Sequence, residues 1–109
     1  MTISVGDPFP SVTVKTWDDA PVDLAVGELI AGKTAVIFGV PGAFTPTCSM
    51  RHLPGFVDLY DDIKAKGVDV IAVHSVNDPY VLNRWNKDQG HEGVATLADW
   101  DATLAKALG

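Results

Sequence analysis

Residues 34–56 read TAVIFGVPGAFTPTCSMRHLPGF, an apolar run followed by a proline-rich turn and the only cysteine of the chain. The run at residues 34–40 is continuous and rich in β-branched side chains, which predicts a strand buried on both faces of a parallel sheet. Beyond Cys48, apolar residues recur at spacings of three and four, as on one face of a helix. They are Leu53, Phe56, Val57, Tyr60 and Ile63. Residues 68–76, VDVIAVHSV, predict the next strand, which gives a βαβ unit with parallel strands.

The segments on either side of this unit extend the α/β pattern. Residues 12–17 alternate and are rich in β-formers, and they predict a strand that returns through residues 21–24 as an N-terminal β-hairpin. Residues 94–97 predict a further short strand, and residues 101–108 predict a final helix. The predicted fold class is therefore α/β, with a βαβ core.

A second helix is predicted to follow the strand at residues 68–76. Asp78 is a suitable N-cap, and Pro79 would occupy the first helical position. Helical spacing would then turn four large side chains inward. They are Tyr80, Val81, Leu82 and Trp85.

The composition limits the classes of function. The chain has 109 residues, of which 47% are hydrophobic, and we expect residues 1–109 to form a single domain. Its formal net charge of -6, from 8 basic and 14 acidic side chains, disfavours nucleic acid and anionic membranes as partners. The N-terminus lacks the basic and apolar regions of a secretory signal, and one cysteine cannot form an internal disulfide. We therefore expect a reducing, cytoplasmic location.

Residues 27–34, GELIAGKT, match the phosphate-loop pattern G-x-x-x-x-G-K-[ST] letter for letter. A phosphate loop follows a strand and opens a helix, because backbone N–H groups and the helix dipole then face the phosphates. Here the order is reversed, since the segment leads into the predicted strand at residues 34–40. Leu29 and Ile30 instead favour a short helical turn packed on the core, so we do not expect nucleotide binding.

Cys48 lies where the proline-rich loop meets the predicted helix. Unpaired N–H groups and the dipole at a helix N-terminus stabilise a thiolate, which is the nucleophilic form of the thiol. Thr45 and Thr47 supply hydroxyl groups that can donate to the anion, and Pro41 and Pro46 stiffen the loop. Together these features favour a reactive thiol over a structural one.

His52 follows Cys48 by one helical turn, and two interpretations of it stay open. It could act as a base for the thiol, or it could fix the loop by a hydrogen bond, which we favour. Two ligands do not complete a metal site, so no metal is expected. Thr45 stands where a C-x-x-C motif has its first cysteine, which argues against disulfide exchange and favours oxidation of one thiolate by peroxide to a sulfenic acid.

Three stretches of the sequence resemble the type II peroxiredoxins, the atypical group of thiol peroxidases: FGVPGAFTPTCS (residues 38–49), HLPGF (residues 52–56) and SVNDPYVLNRW (residues 75–85). The resemblance implies a thioredoxin-like fold. It implies that Cys48 is the peroxidatic cysteine and that the Thr45 hydroxyl hydrogen-bonds the thiolate and the peroxide. Pro41 would shield the pocket from water. The remaining expected pocket residues are Gly42, Phe44 and His52.

The resemblance also implies partners. The substrate would be hydrogen peroxide or an alkyl hydroperoxide, and thioredoxin, glutaredoxin or glutathione would reduce the sulfenic acid again. No cofactor is needed, and a homodimer is expected. Such an enzyme would act as an antioxidant in cell redox homeostasis.

The chain departs from the family pattern in two respects. The family carries an arginine on a strand C-terminal to any residue present here, and neither Arg51 nor Arg84 stands at that motif position. No resolving cysteine is present either. We therefore expect the last strands of the domain to be missing from this chain. The alternative function is a redox-sensing or binding module that uses the same cysteine without turnover.

Overall fold

The computed structural model describes residues 2–89 and 93–109, and a sheet forms its centre. Its strands are β1 (Thr13–Trp17), β2 (Pro21–Ala25), β3 (Ala35–Gly39), β4 (Val70–Ser75) and β5 (Val94–Ala98). Their order in the sheet is β2-β1-β5-β4-β3. β4 runs parallel to both β3 and β5, whereas β1 is antiparallel to both β2 and β5. The predicted α/β class, the parallel βαβ unit and the hairpin are confirmed.

Short helices connect these strands. They are α1 (Val26–Ile30), a π-helical turn (Cys48–His52), α2 (Leu53–Asp58), α3 (Tyr60–Ala65), α4 (Pro79–Gln89) and α5 (Thr103–Leu108). In the part of the chain that the structure describes, none of these helices has the length and apolar character needed to cross a membrane.

Two apolar clusters lie on opposite faces of the sheet, and the alternation along β4 separates them. Ile71 and Val73 pack in the cluster that includes Leu82 and Trp85 of α4. Ala72, between them, packs in the second cluster with residues of α1 and α5. The site described below lies in the first cluster, which also contains Cys48.

The predicted burial of residues 34–40 on both faces of the sheet is wrong for most of this strand. Among the described residues, β3 is hydrogen-bonded only to β4 and forms one edge of the sheet. Its first three residues, Ala35, Val36 and Ile37, are half-buried, and only Phe38 is fully buried. The most buried strands are the central β4 and β5, because each has a neighbouring strand on both sides.

The single helix predicted after Cys48 is divided into three pieces. The N–H of Leu53 donates to the carbonyl of Cys48, five residues back, so the first turn is wider than an α-helical turn. Pro54 follows and has no N–H to continue an α-helical ladder. A second interruption occurs at Leu59, whose ψ of 7° leaves the helical range. After α3 the chain turns at Gly67, whose φ of +93° lies in the left-handed region that favours glycine.

The helix α4 begins as predicted, but one of the four side chains that we expected to face inward is exposed. Asp78 accepts a hydrogen bond from the N–H of Val81 at 2.9 Å, and Pro79 is the first helical residue. Leu82 and Trp85 are fully buried. Tyr80, which we predicted to face inward, is 63% exposed. Its ring meets that of Trp17 edge-on at 5.4 Å, on the flank of the helix.

Asp99 joins β4 to the last helix. Its buried carboxylate pairs with His74 Nε2 at 2.8 Å and accepts hydrogen bonds from the backbone N–H groups of Leu104 and Ala105. The helix predicted from residue 101 therefore begins later, at Thr103, because Asp99 and Asp101 act as acceptors before its first turn.

The segment that matches the phosphate-loop pattern has the geometry of a turn that enters a strand. Residues Val26–Ile30 form α1, and the N–H of Lys33 closes a turn onto the carbonyl of Ile30 at 3.0 Å. The chain then enters β3, so no helix opens at the Gly-Lys-Thr end of the pattern. Leu29 packs against the second apolar cluster, as predicted.

Candidate active site

Cys48 lies in the first helical turn beyond the carboxyl end of β3. The N–H of Ser49 donates to the carbonyl of Thr45 at 2.9 Å, so the helical ladder has already begun when the chain reaches the cysteine. The Cys48 residue is 3% exposed and forms no disulfide. The expected position of the thiol at a helix start is therefore confirmed, and its surroundings are mostly apolar.

The loop at residues 40–47 is held to the end of β4. The N–H of Val40 donates to the carbonyl of His74 at 2.9 Å. The N–H of Ala43 donates to Oδ1 of Asn77 at 3.0 Å, and Ser75 Oγ donates to the same oxygen at 2.5 Å. Phe44 has a φ of 61°, in the left-handed region that bulky residues rarely adopt. Such a conformation persists only where the surrounding contacts impose it.

The hydroxyl of Thr45 contacts the peptide group between Gly42 and Ala43. Its Oγ1 donates to the carbonyl of Gly42 at 2.6 Å. The resemblance gives Thr45 a hydrogen bond to the thiolate, but here its only hydrogen is directed to Gly42. A Cβ at Gly42 would lie 3.3 Å from Cγ2 of Thr45, so a side chain there would crowd this contact.

Several apolar side chains that are close to Cys48 in the sequence are exposed. Phe44 is 54% exposed and Met50 is 77% exposed, and Pro41 and Pro46 also reach the surface. The sequence singled out Pro41, Pro46 and Phe44 as parts of this loop but did not identify Met50. Apolar groups around a buried thiol reduce the local dielectric and strengthen polar interactions inside.

His52 packs against aromatic rings. Its ring centroid lies 5.1 Å from that of Phe38 and 5.7 Å from that of Phe56, and these two phenylalanines stack at 3.9 Å. In residues 2–89 and 93–109, no hydrogen bond to the His52 ring is formed, so the loop-fixing hydrogen bond that we favoured is wrong. The ring instead lines an apolar groove of about 300 Å³ beside α2.

Trp85 and Asn77 are contacts of the site that the sequence analysis did not identify. Nε1 of Trp85 donates to Oγ of Ser49 at 2.9 Å, directly beside the cysteine. Both residues belong to the stretch SVNDPYVLNRW, which also carries the resemblance, but the helical pattern indicated only that Trp85 faces inward. Their hydrogen bonds join residues 36 and 34 positions apart in the chain, and local periodicity contains no signal for such pairs.

The charged side chains near Cys48 in the described residues do not form a metal site with its thiol. Within the described ranges, no three His, Cys, Asp or Glu residues lie close enough to hold a metal ion. Arg84 pairs with Asp88 one turn along the exposed side of α4. Arg51 lines the groove beside His52 and is exposed.

Comparisons with known proteins agree on one family. The model of the Redoxin family matches residues 4–109. Peroxiredoxin-2E-2, chloroplastic, of Oryza sativa subsp. japonica is 48% identical over 99% of this chain and 50% of its own length. Peroxiredoxin-2B of Arabidopsis thaliana is 51% identical over 98% of this chain and 68% of its own length.

A solved structure gives the same result. The crystal structure of reduced Prx3 in complex with hydrogen peroxide from Vibrio vulnificus superimposes with a TM-score of 0.95 and 49% identity, over 99% of this chain and 66% of that chain. The present chain thus spans about half of the length of the chloroplastic relative and about two thirds of the other two proteins.

Proposed function

The chain belongs to the redoxin family and, within it, to the peroxiredoxins of thioredoxin-like fold, and from this we propose that it is a thiol-dependent peroxidase whose reacting atom is Sγ of Cys48. One observation carries the proposal. The only cysteine lies in the first turn of a helix, at the end of a hydrogen-bonded loop and among apolar side chains. A helix start stabilises the thiolate. The rigid loop can hold the hydroxyl oxygen of Thr45 next to a peroxide that approaches this thiolate.

The reaction begins with the thiolate. Its sulfur attacks the terminal oxygen of hydrogen peroxide or an alkyl hydroperoxide, and the S–O bond forms as the O–O bond breaks. The departing oxygen takes a proton and leaves as water or an alcohol. Cys48 is oxidised by two electrons to a sulfenic acid, and the peroxide is reduced.

A thiol partner closes the cycle. Its sulfur attacks the sulfenic sulfur, which releases water and gives a mixed disulfide with Cys48. A second thiol then displaces Cys48 and restores it. The described chain has no second cysteine for this step, so we propose an external donor: thioredoxin, glutaredoxin or glutathione. The reaction uses only thiols and peroxide, and no further cofactor enters it.

The loop residues have supporting roles in this proposal. Thr45 contacts the peroxide through its hydroxyl oxygen, and Gly42 allows the loop to approach that hydroxyl closely. Pro41 and Phe44 limit the access of water to the buried thiol, because they are apolar and exposed on the loop that leads to Cys48. His52 supports the pocket by packing on Phe38 rather than by acting as a base.

Replacing Thr45 by valine is expected to slow the oxidation of Cys48 by hydrogen peroxide about 10²-fold, because one polar contact to the reacting oxygens is lost in an apolar site. Valine has nearly the same shape as threonine, so the loop should keep its packing. Thr45→Ser keeps the hydroxyl and is the matched control, with a rate close to that of the wild type. Stopped-flow measurement gives the rate of Cys48 oxidation in both variants. If the valine variant reacted as fast as the serine variant, the Thr45 hydroxyl would have no role in the mechanism.

Sustained turnover separates the enzyme from a redox sensor. A peroxidase consumes many equivalents of hydrogen peroxide per Cys48 when thioredoxin, glutaredoxin or glutathione is supplied with its own reducing system. A sensing module consumes about one equivalent and then stops, because nothing recycles its sulfenic acid. Counting the equivalents consumed with each donor tests the activity and identifies the donor in the same experiment.

We also propose that the protein is cytoplasmic and forms a homodimer. A cytoplasmic location is supported by the single, unpaired cysteine, although the rice relative is named as chloroplastic. A homodimer is supported by the exposed apolar side chains of Phe44 and Met50, which flank Cys48 in the chain. Subcellular fractionation and sedimentation at several protein concentrations test these two points.

A further inference from the structure

One side-chain oxygen ties the end of β4 to the loop that carries Thr45. Oδ1 of Asn77 accepts hydrogen bonds from Oγ of Ser75 and from the backbone N–H of Ala43, at 2.5 and 3.0 Å. Ser75 is fully buried and Ala43 is 9% exposed, so both donors are largely removed from water. An acceptor shared by two buried donors has little freedom to rotate, because any other orientation would leave a donor unpaired.

The N–H of Ala43 and the carbonyl of Gly42 belong to the same planar peptide group. The Thr45 hydroxyl donates to that carbonyl at 2.6 Å, at the edge of the peptide group opposite to the N–H. Hydrogen bonds therefore run in one direction, from the Thr45 hydroxyl through the peptide to the amide oxygen of Asn77. Donors and acceptors in such a chain polarise one another and fix the orientation of each member. The same contacts flank Phe44 and account for its left-handed backbone.

We propose that Asn77 is a positioning residue for the peroxidase reaction, acting through the peptide between Gly42 and Ala43 on the hydroxyl of Thr45. Because the only hydrogen of that hydroxyl is directed to Gly42, its oxygen is left as an acceptor. It accepts the O–H of the incoming peroxide, which aims the terminal oxygen of the peroxide at the sulfur of Cys48. This inference rests on the proposed function and adds a residue that does not touch the substrate.

Two reagents distinguish positioning of the peroxide from general access to the thiol. Hydrogen peroxide needs the Thr45 oxygen, whereas iodoacetamide alkylates the thiolate without it. We expect Asn77→Leu, which has a similar size but no acceptor, to lower the rate with hydrogen peroxide at least about tenfold, as the loss of a buried acceptor predicts. The rate with iodoacetamide should stay within about twofold. Asn77→Asp keeps an acceptor oxygen and should retain most of the wild-type ratio of the two rates.

A double variant tests whether Asn77 acts through Thr45. If it does, adding Asn77→Leu to Thr45→Val should slow peroxide oxidation no further than Thr45→Val alone. Hydrogen exchange at the Ala43 amide, which should be faster in Asn77→Leu, reports on the hydrogen bond without any catalysis. If the leucine variant does not fold, Ser75→Ala removes the other donor. In Ser75→Ala, the rate with hydrogen peroxide divided by the rate with iodoacetamide should then fall by about threefold.

The outcomes separate this inference from the proposed function. A wild-type chain that reacts with hydrogen peroxide no faster than free cysteine would overturn both. A fast wild type with an unchanged ratio of rates in Asn77→Leu, or in Ser75→Ala where that variant is used, would overturn the inference alone. A parallel fall of both rates, an additive loss in the double variant or unchanged exchange at Ala43 would also overturn it.

Discussion

Replacing Cys48 by serine is expected to abolish peroxide consumption completely. A serine hydroxyl is not ionised at neutral pH, and its oxygen cannot take the place of sulfur in a sulfenic acid. The chain offers no second thiol to substitute for Cys48. Loss of hydrogen peroxide in the presence of a thiol donor is the measurement, followed for the wild type and the variant at equal concentration.

The control for this variant concerns folding. Cys48 is 3% exposed, and a serine hydroxyl buried there without a partner costs about 1–3 kcal/mol. Cys48→Ala places no polar group in the cluster and should be inactive to the same extent, so the pair separates chemistry from stability. Measurable turnover in a folded alanine variant would show that another group performs the reaction.

Replacing Trp85 by alanine is expected to lower the free energy of unfolding by about 3–5 kcal/mol. Trp85 is fully buried in the apolar cluster that contains Cys48, and its indole N–H donates to Oγ of Ser49 at 2.9 Å. Truncation to alanine leaves a large cavity and removes this hydrogen bond. Because domains of this size are commonly stable by only about 5–15 kcal/mol, the loss is a substantial part of the total. Urea unfolding followed by circular dichroism measures it.

Two further variants divide the effect of Trp85 into packing and hydrogen bonding. Ser49→Ala removes only the hydrogen bond and should cost about 0.5–1.5 kcal/mol. Trp85→Phe keeps an aromatic ring in the cluster and should fall between Ser49→Ala and Trp85→Ala. An alanine variant with the urea midpoint of the wild type would mean that Trp85 does not hold the core beside the cysteine.

The parts of the fold that local periodicity encodes were predictable. The strand, helix and strand around Cys48 each follow an apolar pattern of fixed spacing, and the parallel pairing of β3 with β4 follows from the helix that joins them. The edge position of β3 was not predictable from its own residues, because the burial of a strand depends on which strands lie beside it. The exposure of Tyr80 likewise depends on where α4 lies relative to β1.

The position of the site was predictable, and its hydrogen bonds were not. The motif around Cys48 and the helix pattern indicated where the thiol lies. The direction of the Thr45 hydroxyl depends instead on Gly42 and on the peptide held by Asn77, which is 34 residues from Ala43 in sequence. The packing of His52 beside the stacked rings of Phe38 and Phe56 depends on contact between β3 and α2. Such contacts arise only when distant segments meet.

The most direct test of the account is the rate at which hydrogen peroxide oxidises Cys48 at neutral pH, followed by intact mass with Cys48→Ser as the blank. We predict a rate far above that of free cysteine, because the helix start stabilises the thiolate and the loop presents the Thr45 oxygen to the peroxide. A rate equal to that of free cysteine would contradict the proposal that this loop activates its thiol for peroxide reduction.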